Sequence, residues 1–249
     1  MKKNFPIGNN DVFFKLVFLL ILMALTFTTY CHESKQEVNE QIAVGVEFDG
    51  KIVVPVNQII TPYGSQMKLP GMRPQGLAIS PDSRLVAVSG KTSELVIINP
   101  VDLKILQRVT LPSEGQLEPL PELSSANILE PDTKGQLSYN GLIFSADGRK
   151  IFLSNVNGSI KVFTVSNAGV VRPEYSIPLP RANAPRRSDE IPTGLVLSQD
   201  GLKLYICGNL SNQLLEINLK TRKVLRTFEV GVAPYEVVLK GEKACVSNW

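Results

Sequence analysis

Histidine is almost missing from this chain of 249 residues: the one copy, His32, lies beside an N-terminal apolar run, so residues 33 to 249 contain none. Most zinc chemistry and every serine or cysteine relay through an imidazole need that side chain in the folded body, so this stretch reads as neither a metallohydrolase nor a triad enzyme. A dominant charge sign is missing as well. The 26 basic and 23 acidic residues give +3, and residues 1 to 30 hold three of the former and one of the latter, leaving a body of +1. Nucleic-acid binders need a clustered basic face to displace phosphate counterions, so that partner is disfavoured. Walker loops, a dinucleotide glycine fingerprint, a calcium loop of the EF-hand type and a Cys-x-x-Cys pair are all missing, and no cofactor is expected. With 43% apolar and 20% charged residues, the chain nonetheless has material for a full core.

What is present begins with an address. Lys2, Lys3 and Lys15 precede an uncharged apolar stretch from Leu16 to Tyr30, the layout of a signal peptide. Fifteen helical residues span about 22 Å, short of a hydrocarbon core of roughly 30 Å, which favours export over a permanent span. Cys31 ends the run and a polar stretch follows to Glu40, similar to a bacterial lipoprotein site with its tether, although Thr28 and Tyr30 stand where a lipobox has leucine and a small residue. The expected order is an export segment over 1 to 31, a polar tether over 32 to 41 and a folded body over 42 to 249. An uncleaved membrane anchor and plain secretion stay open beside lipidation at Cys31, and all three place the body outside the cytoplasm, at the cell envelope. Cys207 and Cys245 each sit in an apolar strand-like run and are expected as buried hydrophobes without a disulfide.

One unit repeats: Pro74 to Ser83, Tyr139 to Gly148 and Pro192 to Gly201 share Gly, three apolar residues and Ser-x-Asp, and a fourth copy starts at Pro234. Each copy reads as four strands; in the third they fall at about 194 to 198, 203 to 207, 213 to 218 and 223 to 230. Asp82, Asp147 with Gly148, and Asp200 with Gly201 are expected in hairpin turns, where glycine supplies the positive φ. One Asp per hairpin, a blade apart, does not converge on a metal. Gly194 to the matching Glu236 is 42 residues, the period of four-stranded propeller blades. The longer spacings before it come from insertions at 113 to 137 and 181 to 190, in connections that cross the face of the disc, where added length costs little closure entropy. The segment from Gln66 to Pro74 aligns with Thr227 to Tyr235 and reads as an outermost strand. The expected fold is therefore all-β, a propeller of four-stranded blades, incomplete at about three and a half; this implies the N-terminal portion of a longer protein and a body that is not a stable monomer alone.

These residues resemble the YVTN-type, YncE-like repeat propellers, with units of Pro-x-Gly, apolar strand, Ser-x-Asp-Gly and a second apolar strand; residues 192 to 234 match throughout. Gly50 to Gly64, the Leu69-Pro70-Gly71 step and Pro234-Tyr235 look like the propeller half of bacterial envelope proteins that carry a following alkaline-phosphatase-like phosphoesterase domain. The resemblance implies catalytic metal ligands in that following domain and none here.

Two loops are the candidate partner or ligand surface. One carries Glu114, Glu118, Glu122, Glu130 and Asp132 against Lys134; the other presents Arg181, Arg186 and Arg187. Guanidinium forks in such a cluster suit phosphate or carboxylate groups, and the plainer alternative is that the loops are solvated or pair with each other. Trp249 is expected as a wedge between blades. The function these features imply is a non-catalytic, exported scaffold that binds a protein partner or positions a following domain and touches the membrane through its N-terminus. The accessory half of a larger phosphoesterase and, on fold analogy alone, a lactonase-like propeller enzyme are the alternatives.

Overall fold

The structure, a computed structural model, describes residues 43–55, 58–61, 63–113, 137–182, 184–185 and 187–249. Cys31 and the rest of residues 1–42 lie outside them. The chain divides into two compact units, Met1–Gln66 and Met67–Trp249. In the first, β1 (Glu47–Phe48), β2 (Lys51–Val54) and β3 (Gln58–Ile60) form a three-stranded antiparallel sheet.

The second unit repeats one motif. Blade one comprises β4 (Pro74–Ile79), β5 (Val86–Gly90), β6 (Glu94–Asn99) and β7 (Lys104–Thr110). Blade two comprises β8 (Leu137–Phe144), β9 (Lys150–Asn155), β10 (Ser159–Val165) and β11 (Val171–Pro178), and blade three β12 (Pro192–Leu197), β13 (Lys203–Gly208), β14 (Gln213–Asn218) and β15 (Lys223–Glu229). A two-stranded fourth sheet holds β16 (Pro234–Lys240) and β17 (Lys243–Asn248). Every sheet is an antiparallel meander in sequence order. The four strands expected in the third copy fall where the pattern places them, within about two residues at each end.

Period-two alternation explains the packing, because successive side chains of a strand point to opposite faces. On β9, Ile151 and Leu153 join a core with Ala87, Leu95 and Ile97 of blade one, while Phe152 between them joins one with Leu195, Leu204 and Ile206 of blade three. The middle strands are apolar on both faces because each is covered on both faces. Blade three then meets the fourth sheet through Cys207, Leu214 and Val237.

Glycine after the repeat's first polar step has a specific task. The first strands of neighbouring blades approach so closely that a Cβ on Gly141 would lie 2.0 Å from the Thr193 carbonyl oxygen, at a backbone φ of +83°. The ladder slips at this same place in each first hairpin, between Pro74 and Gly76, Leu137 and Leu142, and Pro192 and Leu195. These irregularities bend the inner strand and free its backbone to meet the next blade.

Three expectations are corrected. Residues 66–73 are not an outer strand: among the described residues they join no ladder. A turn at Pro70-Gly71, with Gly71 at φ +76°, interrupts the extension, and Met67, Leu69 and Met72 instead cover Val88, Val96 and Ile98 on blade one. Cys245 is exposed where burial was expected, whereas Cys207 is buried; both are free thiols. Trp249 is also exposed, its ring meeting that of Tyr235 edge-on with centroids 5.4 Å apart, and among the described residues it is not buried between blades.

Candidate functional site

The Ser-x-Asp turns are built alike. In blade two the Ser145 hydroxyl donates to Asp147 Oδ1 at 2.6 Å, that oxygen also accepts from the Arg149 amide at 3.0 Å, and the Lys150 amide donates to Ser145 Oγ at 2.9 Å. Ser198 and Asp200 repeat this with the amides of Leu202 and Lys203, and Ser80 and Asp82 with those of Arg84 and Leu85. Gly148 and Gly201 both sit at φ +69° beside the aspartate, and Ser83 takes the equivalent place at +57°. Donors from the serine hydroxyl, followed by Arg84, hold the Asp82 carboxyl down at about 2, and the matching serine donors lower Asp147 and Asp200 too.

On the second inserted loop the structure describes Arg181 and Arg187; Arg186 lies outside the described residues, as do Glu114, Glu118, Glu122, Glu130, Asp132 and Lys134. Arg181 is exposed. Arg187 turns inward: its Nε donates to the Asp189 carbonyl at 3.1 Å and its terminal nitrogen to the Val156 carbonyl. The loop closes on itself through the Ala182 amide and the Ser188 carbonyl at 2.8 Å. Its end is pinned by Glu190, whose buried carboxylate accepts from the amides of Ile191 at 2.9 Å, Leu210 at 2.8 Å and Ser211 at 3.2 Å. Nothing in the sequence singles out Glu190, because no other repeat carries its counterpart.

Lys161 holds the end of blade one. It is fully buried on β10, and its ammonium donates to the Pro112 carbonyl at 2.7 Å and the Ser176 hydroxyl at 3.2 Å. A lysine inside the apolar run from Ser159 to Val165 was the visible signal. Buried cations need partners of this kind.

Between blades two and three, on the side of the Ser-x-Asp turns, lies an open cleft of about 490 Å³. Phe152, Leu197 and Leu219 give it an apolar floor, and Tyr175 lies there with Arg222 3.7 Å from its ring centre and Lys150 5.5 Å away. Lys150 also pairs with Glu174 at 2.6 Å. Burial, with help from Glu174, pushes the Tyr175 phenol up, so it stays protonated at neutral pH. The arginine and lysine stabilise the ring's negative face, a contact of about 0.5 to 2 kcal/mol each. Among the described residues no three histidine, cysteine, aspartate or glutamate side chains gather as a metal site.

No protein-family model matches the chain, and no curated protein matches it. Solved structures do. The chain is similar to the WD40 repeats of RRP9 with a TM-score of 0.52 at 12% identity, over 73% of this chain and 47% of that one. It is similar to the β-propeller domain of Cps50 (Swd1) from Myceliophteria thermophila, with a TM-score of 0.52 at 10% identity, over 80% and 58%. A functionally unknown protein from Desulfotomaculum acetoxidans gives 0.50 at 14% identity, over 80% and 53%. The fold is that of a β-propeller. The chain spans about half the length of the propellers it matches, and at these identities the likeness concerns the fold alone.

Proposed function

We propose that this chain is a non-catalytic binding scaffold of the YVTN, YncE-like kind, exported and held at the cell envelope through Cys31 or the apolar run before it, whose inserted loops meet a protein partner or position a following domain. The observation that supports it most is how the reactive side chains are spent. Hydrolysis near neutral pH needs a poised base, a metal-activated water or an activated nucleophile. Asp82, Asp147 and Asp200 close turns, Glu190 holds three amides, and Glu216 is buried between Lys203 at 2.9 Å and Arg226 at 2.6 Å. Burial, followed by Glu236, pushes the Cys207 thiol up to about 12, so no thiolate forms there at neutral pH. The chain's only histidine is outside residues 33 to 249.

The likeness at Gly50 to Gly64 favours a second reading, in which the scaffold is the accessory half of a larger phosphoesterase. Both readings expect residues 33 to 249 to turn over neither nitrophenyl phosphates nor simple lactones when supplied with Mg²⁺, Ca²⁺, Mn²⁺ or Zn²⁺. Turnover above background that vanishes with Asp132→Asn or Asp189→Asn would overturn them and place a catalytic centre on the inserted loops.

A further inference from the structure

The two seams between four-stranded blades follow one plan and are filled differently. In every blade the third and fourth strands slip register once, at Ile97/Ile98, Val162/Phe163 and Glu216/Ile217. The outer-strand residue paired just before the slip is Gln107 in blade one and Tyr175 in blade two. Two places before the residue paired just after it stand Val171 in blade two and Arg222 in blade three. Leu85 and Lys150 also correspond, each giving its amide to the serine of its own turn.

Between blades one and two these positions close the seam. The Gln107 carboxamide donates to the Val171 carbonyl at 3.3 Å and accepts from the Val171 amide at 2.9 Å, and buried Leu85 fills the space beside Gly169. Between blades two and three the same positions hold Tyr175, Arg222 and Lys150. A phenol offers one oxygen where a carboxamide offers separate donor and acceptor atoms, and a charged lysine does not plug an apolar gap. The cleft of about 490 Å³ remains, within the roughly 300 to 1,000 Å³ of small-molecule pockets.

We infer that this cleft binds a small amphipathic carboxylate, its apolar body on Phe152, Leu197 and Leu219 and its charge against Arg222, Lys220 and Lys150. Lys220 and Arg222 come from one hairpin turn, and a guanidinium lying over a ring keeps N–H donors in its own plane for a carboxylate. Glu174 answers Lys150 alone, at 2.6 Å, which leaves this end of the cleft cationic. Asp147 and Asp200 also line it, each accepting from its turn's serine and amide. They repel a polyanion, whereas a single carboxylate at the cationic end need not approach them. The site is separate from the inserted loops: in a meander the turns after the first and third strands lie at one end, and the blade-to-blade connections leave from the other.

Equilibrium dialysis of the full chain in phosphatidylcholine nanodiscs, against empty discs, tests the inference with 2-naphthoate as the probe. Saturable binding is expected, and 2-naphthamide, which lacks the charge, and acetate, which lacks the body, each bind about tenfold more weakly or worse. Lys150→Leu installs the residue that closes the first seam and is expected to abolish binding while the melting temperature holds or rises. Arg222→Gln weakens binding about tenfold and leaves Lys150 in place. Lys104→Leu, the same change at an exposed position of blade one, leaves binding as it was. Absence of saturable 2-naphthoate binding would overturn the inference. So would equal binding of 2-naphthylmethylammonium, or undiminished binding in both cleft variants.

Discussion

Gly141→Ala is expected to destabilise the second unit by roughly 2 to 5 kcal/mol, a large share of the 5 to 15 kcal/mol typical of a domain. Two costs combine. Alanine at φ +83° carries the left-handed penalty of about 1 to 2 kcal/mol, and its methyl would press into the Thr193 carbonyl oxygen and the Ser154 hydroxyl, 2.0 and 2.3 Å from the ideal Cβ. That hydroxyl donates to the same carbonyl at 2.7 Å, so relief of the clash pulls apart a buried bond between blades two and three. Gly201→Ala is the control. It shares the positive φ but has nothing within 4 Å of its Cβ, so only the backbone term of about 1 to 2 kcal/mol applies. Urea unfolding of the two variants measures the difference, and equal losses would show that the inner strands do not approach as closely as described.

Glu190→Ala has the second largest expected effect, a loss of about 3 kcal/mol, because a charged acceptor serving three backbone amides disappears and leaves them partly buried without a partner. Glu190→Gln keeps one acceptor oxygen and loses less. Hydrogen exchange distinguishes this from general loosening: the Leu210 and Ser211 amides are expected to exchange faster while those of β9 and β10 keep their protection. If Glu190→Ala leaves these two amides unchanged, the carboxylate does not hold the loop, and the Arg181 end of the candidate surface is no longer fixed to blade three.

The repeat was readable because it is local. Ser-x-Asp followed by glycine or its substitute closes each first hairpin with bonds spanning two to five residues, and each turn carries its own signal. What escaped the sequence depends on distant partners. Gln66 to Pro74 has the composition of an outer strand, yet whether it pairs or lies flat over Val88 and Ile98 depends on which ladder edge is within reach, and the turn at Gly71 decides it. Cys245 and Trp249 look like interior residues because their runs are apolar, but a strand's burial is set by what faces it, and among the described residues nothing buries these two side chains. Glu190 and Lys161 act through backbone groups 20 and 49 residues away, which no spacing rule connects. Of the candidate surface, Arg187 is the clearest difference: a guanidinium read as facing a ligand is used on two carbonyls of its own chain.

The central claim is that the repeated aspartates are architecture, and an acid titration of folding tests it most directly. A carboxyl held below its unfolded value of about 4 adds stability above that pH, and the contribution is lost as the pH falls through the folded value, which for Asp82 is about 2. The wild-type second unit should therefore lose stability steadily between about pH 4 and pH 2, measured by urea midpoint, and the triple variant Asp82→Asn, Asp147→Asn, Asp200→Asn, whose turns no longer titrate, should lose distinctly less over that interval. Identical acid slopes for the two proteins would contradict the claim, because the three carboxylates would then hold no more tightly to their turns in the folded state than in the unfolded one.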